Sequence, residues 1–258
     1  MIEAQQIVIL LYLFNVKLPD NVKVIFEALM TIVAFEFLPI DDLYEYFGSD
    51  PDSGEPFSTK FEELGLEHHL TMNNLGTLGF ILTLLILLHV FVKLMWCCEG
   101  ERCCRKSKRW IAKNLYYGMI LRTIMESYVI GILCTLINTR VIDFSTSGYN
   151  WTFANAIITC SLFPIYVLFP IFAVGYMLCN WSSLNSKETK QRFGELYEGY
   201  NTSSRHMIVY WGLDYMRKTM LCLSVIFIKD FFAQMMIFYF SSNLLIVGAG
   251  FLNARKTL

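Results

Sequence analysis

Arg122 and Glu126 stand four residues apart within an otherwise apolar stretch, and Asp214, Arg217 and Lys218 repeat that spacing in a second stretch. Residues four apart on a helix share a face. A charge at the centre of a membrane helix costs about 2.5–3.5 kcal/mol on insertion scales, so opposite signs at matching depth are expected to pair. A cross-helix network, Glu126 with Arg217 and Asp214 with Arg122, would satisfy all four groups where a bundle is dry. Such a network could be a gate or coupling site. The plainer expectation is a structural clasp, with Lys218 snorkelling its ammonium to the interface. Pro164 and Pro170 lie in a third apolar stretch, where each removes an intrahelical bond and predicts a kink. Such a kink can line a cavity, but proline is also tolerated in ordinary membrane helices.

Cysteine chemistry concentrates beside basic residues. Cys97, Cys98, Cys103 and Cys104 share one short segment with six lysines and arginines. Cysteines next to a membrane helix and to Lys or Arg are candidates for S-palmitoylation. The rival is zinc, but the paired cysteines do not match the C-x2-C spacing of common tetrahedral sites. Asn150-Trp151-Thr152 is a glycosylation sequon, a pattern common by chance. Residues Asp41–His69 hold nine acids and one base. They form either an acidic vestibule that concentrates cations or, more simply, a solvated loop. His68 and His69 are adjacent and would point different ways on a helix, so no metal site is proposed there. No cofactor is implied. No nucleotide loop, catalytic triad, zincin motif or nucleic-acid signature occurs, so neither an enzyme nor a nucleic-acid partner is expected.

The elements that must carry these residues follow from composition. Of 258 residues, 55% are hydrophobic and 17% charged, with mean hydropathy +0.46. Ordinary soluble domains carry about 25% charged residues. A span needs about 20 mostly apolar residues. Five runs meet that length, near 74–96, 115–138, 153–179, 207–228 and 231–252. The expected fold class is all-α, a polytopic membrane helix bundle of about five transmembrane helices, occupying 74–258. Residues 1–73 form an extracytoplasmic N-terminal segment. Its helices lie at the interface or pack on the bundle, and Ile7–Phe14 is alternatively the end of a span whose beginning is missing. Gln234, Ser241 and Gly248 recur every seven residues, a stripe suited to helix packing.

Orientation follows from Lys and Arg near the spans. Cys97–Asn114 has six, Asn180–His206 has four and the C-terminal tail two, whereas Thr139–Thr152 has Arg140 alone. The basic loops and the C-terminus are therefore assigned to the cytoplasm, and the bilayer, most simply the plasma membrane, is the first partner. A homo-oligomer or a larger membrane complex is the second. Phe193, Leu196, Tyr197 and Tyr200 fall at i, i+3, i+4 and i+7, predicting an amphipathic helix flat on the inner leaflet.

The run Arg192-Phe-Gly-Glu-Leu-Tyr-Glu-Gly-Tyr200, then Tyr210-Trp211 and Met216-Arg-Lys218, resembles the C-terminal membrane domains of ciliate surface proteins with cysteine-rich ectodomains. The likeness extends to Asn15-Val-Lys-Leu-Pro19, Asn74-Leu-Gly76 and Arg122 through Glu126-Ser-Tyr128, and so covers most of the chain. More weakly, Phe193-Gly-Glu-Leu-Tyr197 and the tryptophan before a basic helix start are similar to fungal TRP-like channels and flavin carriers. The resemblance implies the membrane domain of a surface protein, with an ectodomain upstream and a TRP-like cation channel or sensor as its most concrete activity. The alternative is a non-conducting membrane anchor or structural subunit of a larger complex.

Overall fold

A backbone in hydrocarbon must satisfy its own hydrogen bonds, and a helix does so within one segment. In a computed structural model, residues 2–14, 19–33, 57–62, 66, 71, 74, 81, 84, 87–88, 90–91, 94, 117–139, 151–198, 200 and 204–252 are described. Among them there is no strand. The helices are α1 (Ile2–Tyr12), α2 (Asp20–Val33), α3 (Thr59–Glu62), α4 (Tyr117–Glu126), α5 (Tyr128–Asn138), α6 (Trp151–Cys179), α7 (Lys187–Phe193), α8 (His206–Phe227) and α9 (Phe231–Leu252). Short 3-10 turns occupy Trp181–Ser183 and Gly194–Tyr197.

Among the described residues, two helices are long and apolar enough to cross a membrane, α6 over Phe153–Cys179 and α9 over Phe231–Gly250. The count becomes three if α4 and α5, bent by 59° at their junction, form one span. This is fewer than the five that composition predicts, for two physical reasons. The run at 115–138 breaks at Ser127. That at 207–228 does form a helix of 22 residues, but Asp214, Arg217 and Lys218 leave it too charged to qualify by composition. The run near 74–96 lies largely outside the described residues, as do Cys97, Cys98, Cys103, Cys104, Asn150 and most of Asp41–His69.

Apolar side chains cover the outside of the bundle, and several polar ones are buried within its apolar core. On α6 Ile171 is 66% and Phe172 71% exposed, and on α9 Phe232 is 77% exposed. Gln6, Thr135, Asn138, Asn155, Asp214, Lys218 and Gln234 are buried. In water so many exposed apolar side chains would be costly, whereas against lipid tails they cost nothing. This apolar exterior associates the bundle with a membrane.

Helix α6 continues as one helix through both prolines. Pro164 is exposed beside Ile165 and Leu168, on the outward apolar side. Among the described helices, α8 and α9 form the most extensive pair. The α9 stripe meets the C-terminal end of α8, where Gln234 Nε2 donates to the Ile228 carbonyl at 2.7 Å. Asp230 Oδ2 accepts from the Ala233 amide at 2.9 Å, capping α9.

Two segments that the sequence could place at the membrane interface pack inward. Helix α1 buries Ile9, Leu10, Tyr12, Leu13 and Phe14 in the common core. Lys60 reaches from α3 to the Phe14 carbonyl. The α1 helix is therefore packed on the bundle. The expected amphipathic helix at 193–200 does not form, because α7 ends at Phe193 and the chain tightens into a 3-10 turn. Leu196, Tyr197 and Tyr200 then face the core. Phe193 lies against Tyr176 of α6, ring centroids 4.3 Å apart. Tyr197 Oη donates to the Leu184 carbonyl at 2.8 Å, which pins this cap to itself.

Candidate functional site

Helix α8 buries Met207, Tyr210, Trp211, Asp214, Tyr215, Lys218, Leu221, Cys222 and Val225, the three- and four-residue spacing of one helical face. Val209, Met216, Met220 and Leu223 are exposed on the other. Asp214 and Lys218 thus lie on the buried face among aromatic and apolar residues, and the exposed face is apolar. Asp214 Oδ1 accepts from Arg217 Nη2 at 2.8 Å, and Asp214 Oδ2 lies 3.2 Å from Lys218 Nζ. Lys218 is fully buried, with its ammonium 4.7 Å from the Tyr215 ring centroid, a cation–π contact. The snorkelling expected of Lys218 does not occur, because Asp214 and the Tyr215 ring face it inside.

Aromatic rings wall this cluster. Trp211 stacks on Tyr215 with centroids 4.2 Å apart. Tyr128 of α5 meets Tyr215 edge-on at 4.7 Å, and Phe169 of α6 approaches both Trp211 and Tyr215 at about 6 Å. Tyr128 Oη and Thr219 Oγ1 share a hydrogen bond of 2.9 Å, tying α5 to α8. Three helices therefore converge on one buried ionic and aromatic centre.

The α4–α5 junction is the second constituent. Ser127 Oγ donates to the Thr123 carbonyl at 2.7 Å, a back-bond that bends helices. With its proton committed there, Ser127 Oγ accepts from Tyr166 Oη at 3.0 Å. One turn on, a methyl at Gly131 would lie 2.2 Å from Tyr166 Cζ. Only glycine admits the ring so close. Gln6 of α1 donates its side-chain amide to the Glu126 carbonyl at the same bend. A polar group inserted beside a helix ladder is a recognised cause of such a break.

Arg122 and Glu126 pair at 2.8 Å along α4, with Arg122 largely exposed. The expected cross-helix pairs are thus replaced by pairs within each helix. Neither Glu126 with Arg217 nor Asp214 with Arg122 forms, because a partner one turn away on the same helix is already in reach. Near Arg122 the cap contributes Glu195 and Glu198, whose charges act on its guanidinium. Burial, then the charge of Glu198, holds the Glu195 carboxyl above the usual carboxylate range.

Thr71, Thr159 and Cys134 form a smaller polar contact. The two threonine hydroxyls are 2.7 Å apart, and Thr71 Oγ1 is 3.4 Å from the Cys134 carbonyl. Among the described residues, no group of three or more His, Cys, Asp or Glu could hold a metal. Gln6, Ser127, Gly131, Tyr166 and Trp211 are residues to which sequence reasoning assigned no role at this site. For Trp211 a signal was present, since Trp211, Tyr215 and Lys218 fall at i, i+4 and i+7 around Asp214. No family model, curated protein or solved structure matches the chain.

Proposed function

We propose that this chain is the multi-pass membrane domain of a surface protein, working as a non-conducting anchor and packing core within a larger membrane complex. The observation that carries the proposal is the filled centre of the bundle. Tyr128, Tyr166, Phe169, Trp211 and Tyr215 occupy the region where α5, α6 and α8 meet. A cation path through that region would need acceptors facing water, but Asp214 is already engaged by Arg217 and Lys218. Asp214, Arg217 and Lys218 together carry one excess positive charge, which opposes cation passage.

In this proposal α8 and the run near 74–96 join α6, α9 and the bent α4–α5 pair, giving five spans. The basic loops and C-terminus face the cytoplasm of a cell whose plasma membrane holds the domain, and the ciliate resemblance supplies the surface ectodomain. The decisive measurement is cation flux into liposomes carrying the purified chain. No flux is expected under voltage, acid or stretch. A flux abolished by a Pro164→Ala, Pro170→Ala double substitution would overturn the anchor and favour the TRP-like cation channel. Orientation is checked with single reporter cysteines at Ser107, Ser147 and Ser186, labelled by an impermeant reagent. Only Ser147 is expected to label from outside.

A further inference from the structure

The cap between α6 and α8 brings Glu195 and Glu198 toward the Arg122–Glu126 pair of α4. Its 3-10 turn, Gly194–Tyr197, lies against α4 so closely that a methyl at Gly118 would stand 3.4 Å from Glu195 Cγ. The guanidinium there, Arg122, is held by Glu126 at 2.8 Å. Glu195 and Glu198 therefore approach α4 where Arg122 is already engaged by Glu126. From α4, Glu195 faces Arg122 and Glu126; from the cap itself it faces Glu198. On α7 the adjacent charge is Lys190, whose Cγ would lie 3.5 Å from a methyl at Gly194.

We propose that the cap is a proton-controlled latch on α4, seated firmly when the Glu195 carboxyl carries a proton and loosened when it is ionised. A neutral Glu195 can donate a hydrogen bond to Glu198, whereas two carboxylates so placed repel. The apolar side of the latch is Leu196, Tyr197 and Tyr200, buried in the core, so the charged edge works against a fixed apolar seat. The α4 helix that it grips ends at the bend, where Ser127 and Gln6 already interrupt a straight run. Releasing the cap would free this short helix to swing at Ser127.

The sign follows from linkage. Glu195 is held above the usual carboxylate range when docked, by burial first and by Glu198 next, with Arg122 opposing. Docking therefore takes up a proton. The latch is fully favoured below the ordinary Glu value, and its advantage is lost as pH rises through the docked value.

Amide hydrogen exchange of the full chain in nanodiscs tests this, with rates corrected for intrinsic pH dependence. Protection of the amides at 194–198 is expected to fall as pH rises from acidic to neutral. In Glu195→Gln that dependence should be lost, with protection staying high at every pH. Glu198→Gln should weaken the dependence without abolishing it. Protection across α8 and α9 serves as the control that each variant is folded. A wild-type cap whose protection ignores pH, or a pH dependence that survives in folded Glu195→Gln, would overturn the latch.

Discussion

Asp214 with Arg217 and Lys218, and Glu126 with Arg122, use the same one-turn spacing and meet opposite surroundings. In the first set Lys218 is wholly buried and the Asp214 side chain only 5% exposed; in the second the Arg122 side chain is 64% exposed. Spacing alone specifies that each acid finds a base on its own helix. Burial decides what the pairing is worth. A buried charge stripped of its partner cannot recover the lost interaction from water, whereas an exposed one exchanges its partner for solvent at little cost. The α8 set is therefore structural in the strict sense, and the α4 set contributes little to stability.

The sharpest way to break this contrast is Asp214→Asn, which leaves two cations in the buried centre. Resistance to unfolding in mild detergent is expected to drop by about 3–5 kcal/mol. Lys218→Met should cost far less than Asp214→Asn, because it leaves a neutral Asp214–Arg217 pair and an apolar side chain of similar length. If the two variants were equally damaging, the excess positive charge would not be what Asp214 controls.

Next in size is Gly131→Ala. Its methyl would overlap the Tyr166 ring, and forced overpacking typically costs about 1–3 kcal/mol. Tyr166→Phe keeps the ring and removes only the bond to Ser127, so about 0.5–1.5 kcal/mol is expected. Thermal unfolding of the two variants separates the space that Gly131 provides from the hydrogen bond at Ser127.

The smallest effect is expected at Arg122→Gln, within about 0–1 kcal/mol, as for other exposed pairs. Combined with Arg217→Gln, its effect should add to within about 0.5 kcal/mol, since sites without shared partners are independent. A coupling larger than that would mean that the two charge sets do communicate across the bundle.

How much of this was legible beforehand differs between the two sets as well. The helical class, the apolar runs of α6 and α9 and the same-face placement of Arg122 with Glu126 all follow from periodicity and length, because a helix fixes its own neighbours at three and four residues. Gln234 and Ser241 facing inward follow from the same rule. The partner of Tyr166 is of another kind. It lies 35 to 39 residues away, at Gly131 and Ser127, and no local pattern distinguishes that glycine from any other. Gln6, reaching the Glu126 carbonyl across 120 positions, is similarly invisible.

The amino-acid sequence by itself determined that this chain builds helices, that its apolar runs suit a bilayer, and that its acids and bases stand one turn apart. Those are properties of hydropathy and of helix geometry, which act over a few residues at a time. Only the tertiary structure decided that Lys218 points into an aromatic centre, that α1 and the cap pack on the bundle, and that the run at 115–138 bends. Each of these depends on which distant groups share a space. An amphipathic face is satisfied equally by a lipid surface or by a neighbouring helix, and nothing in its own spacing records which of them it meets.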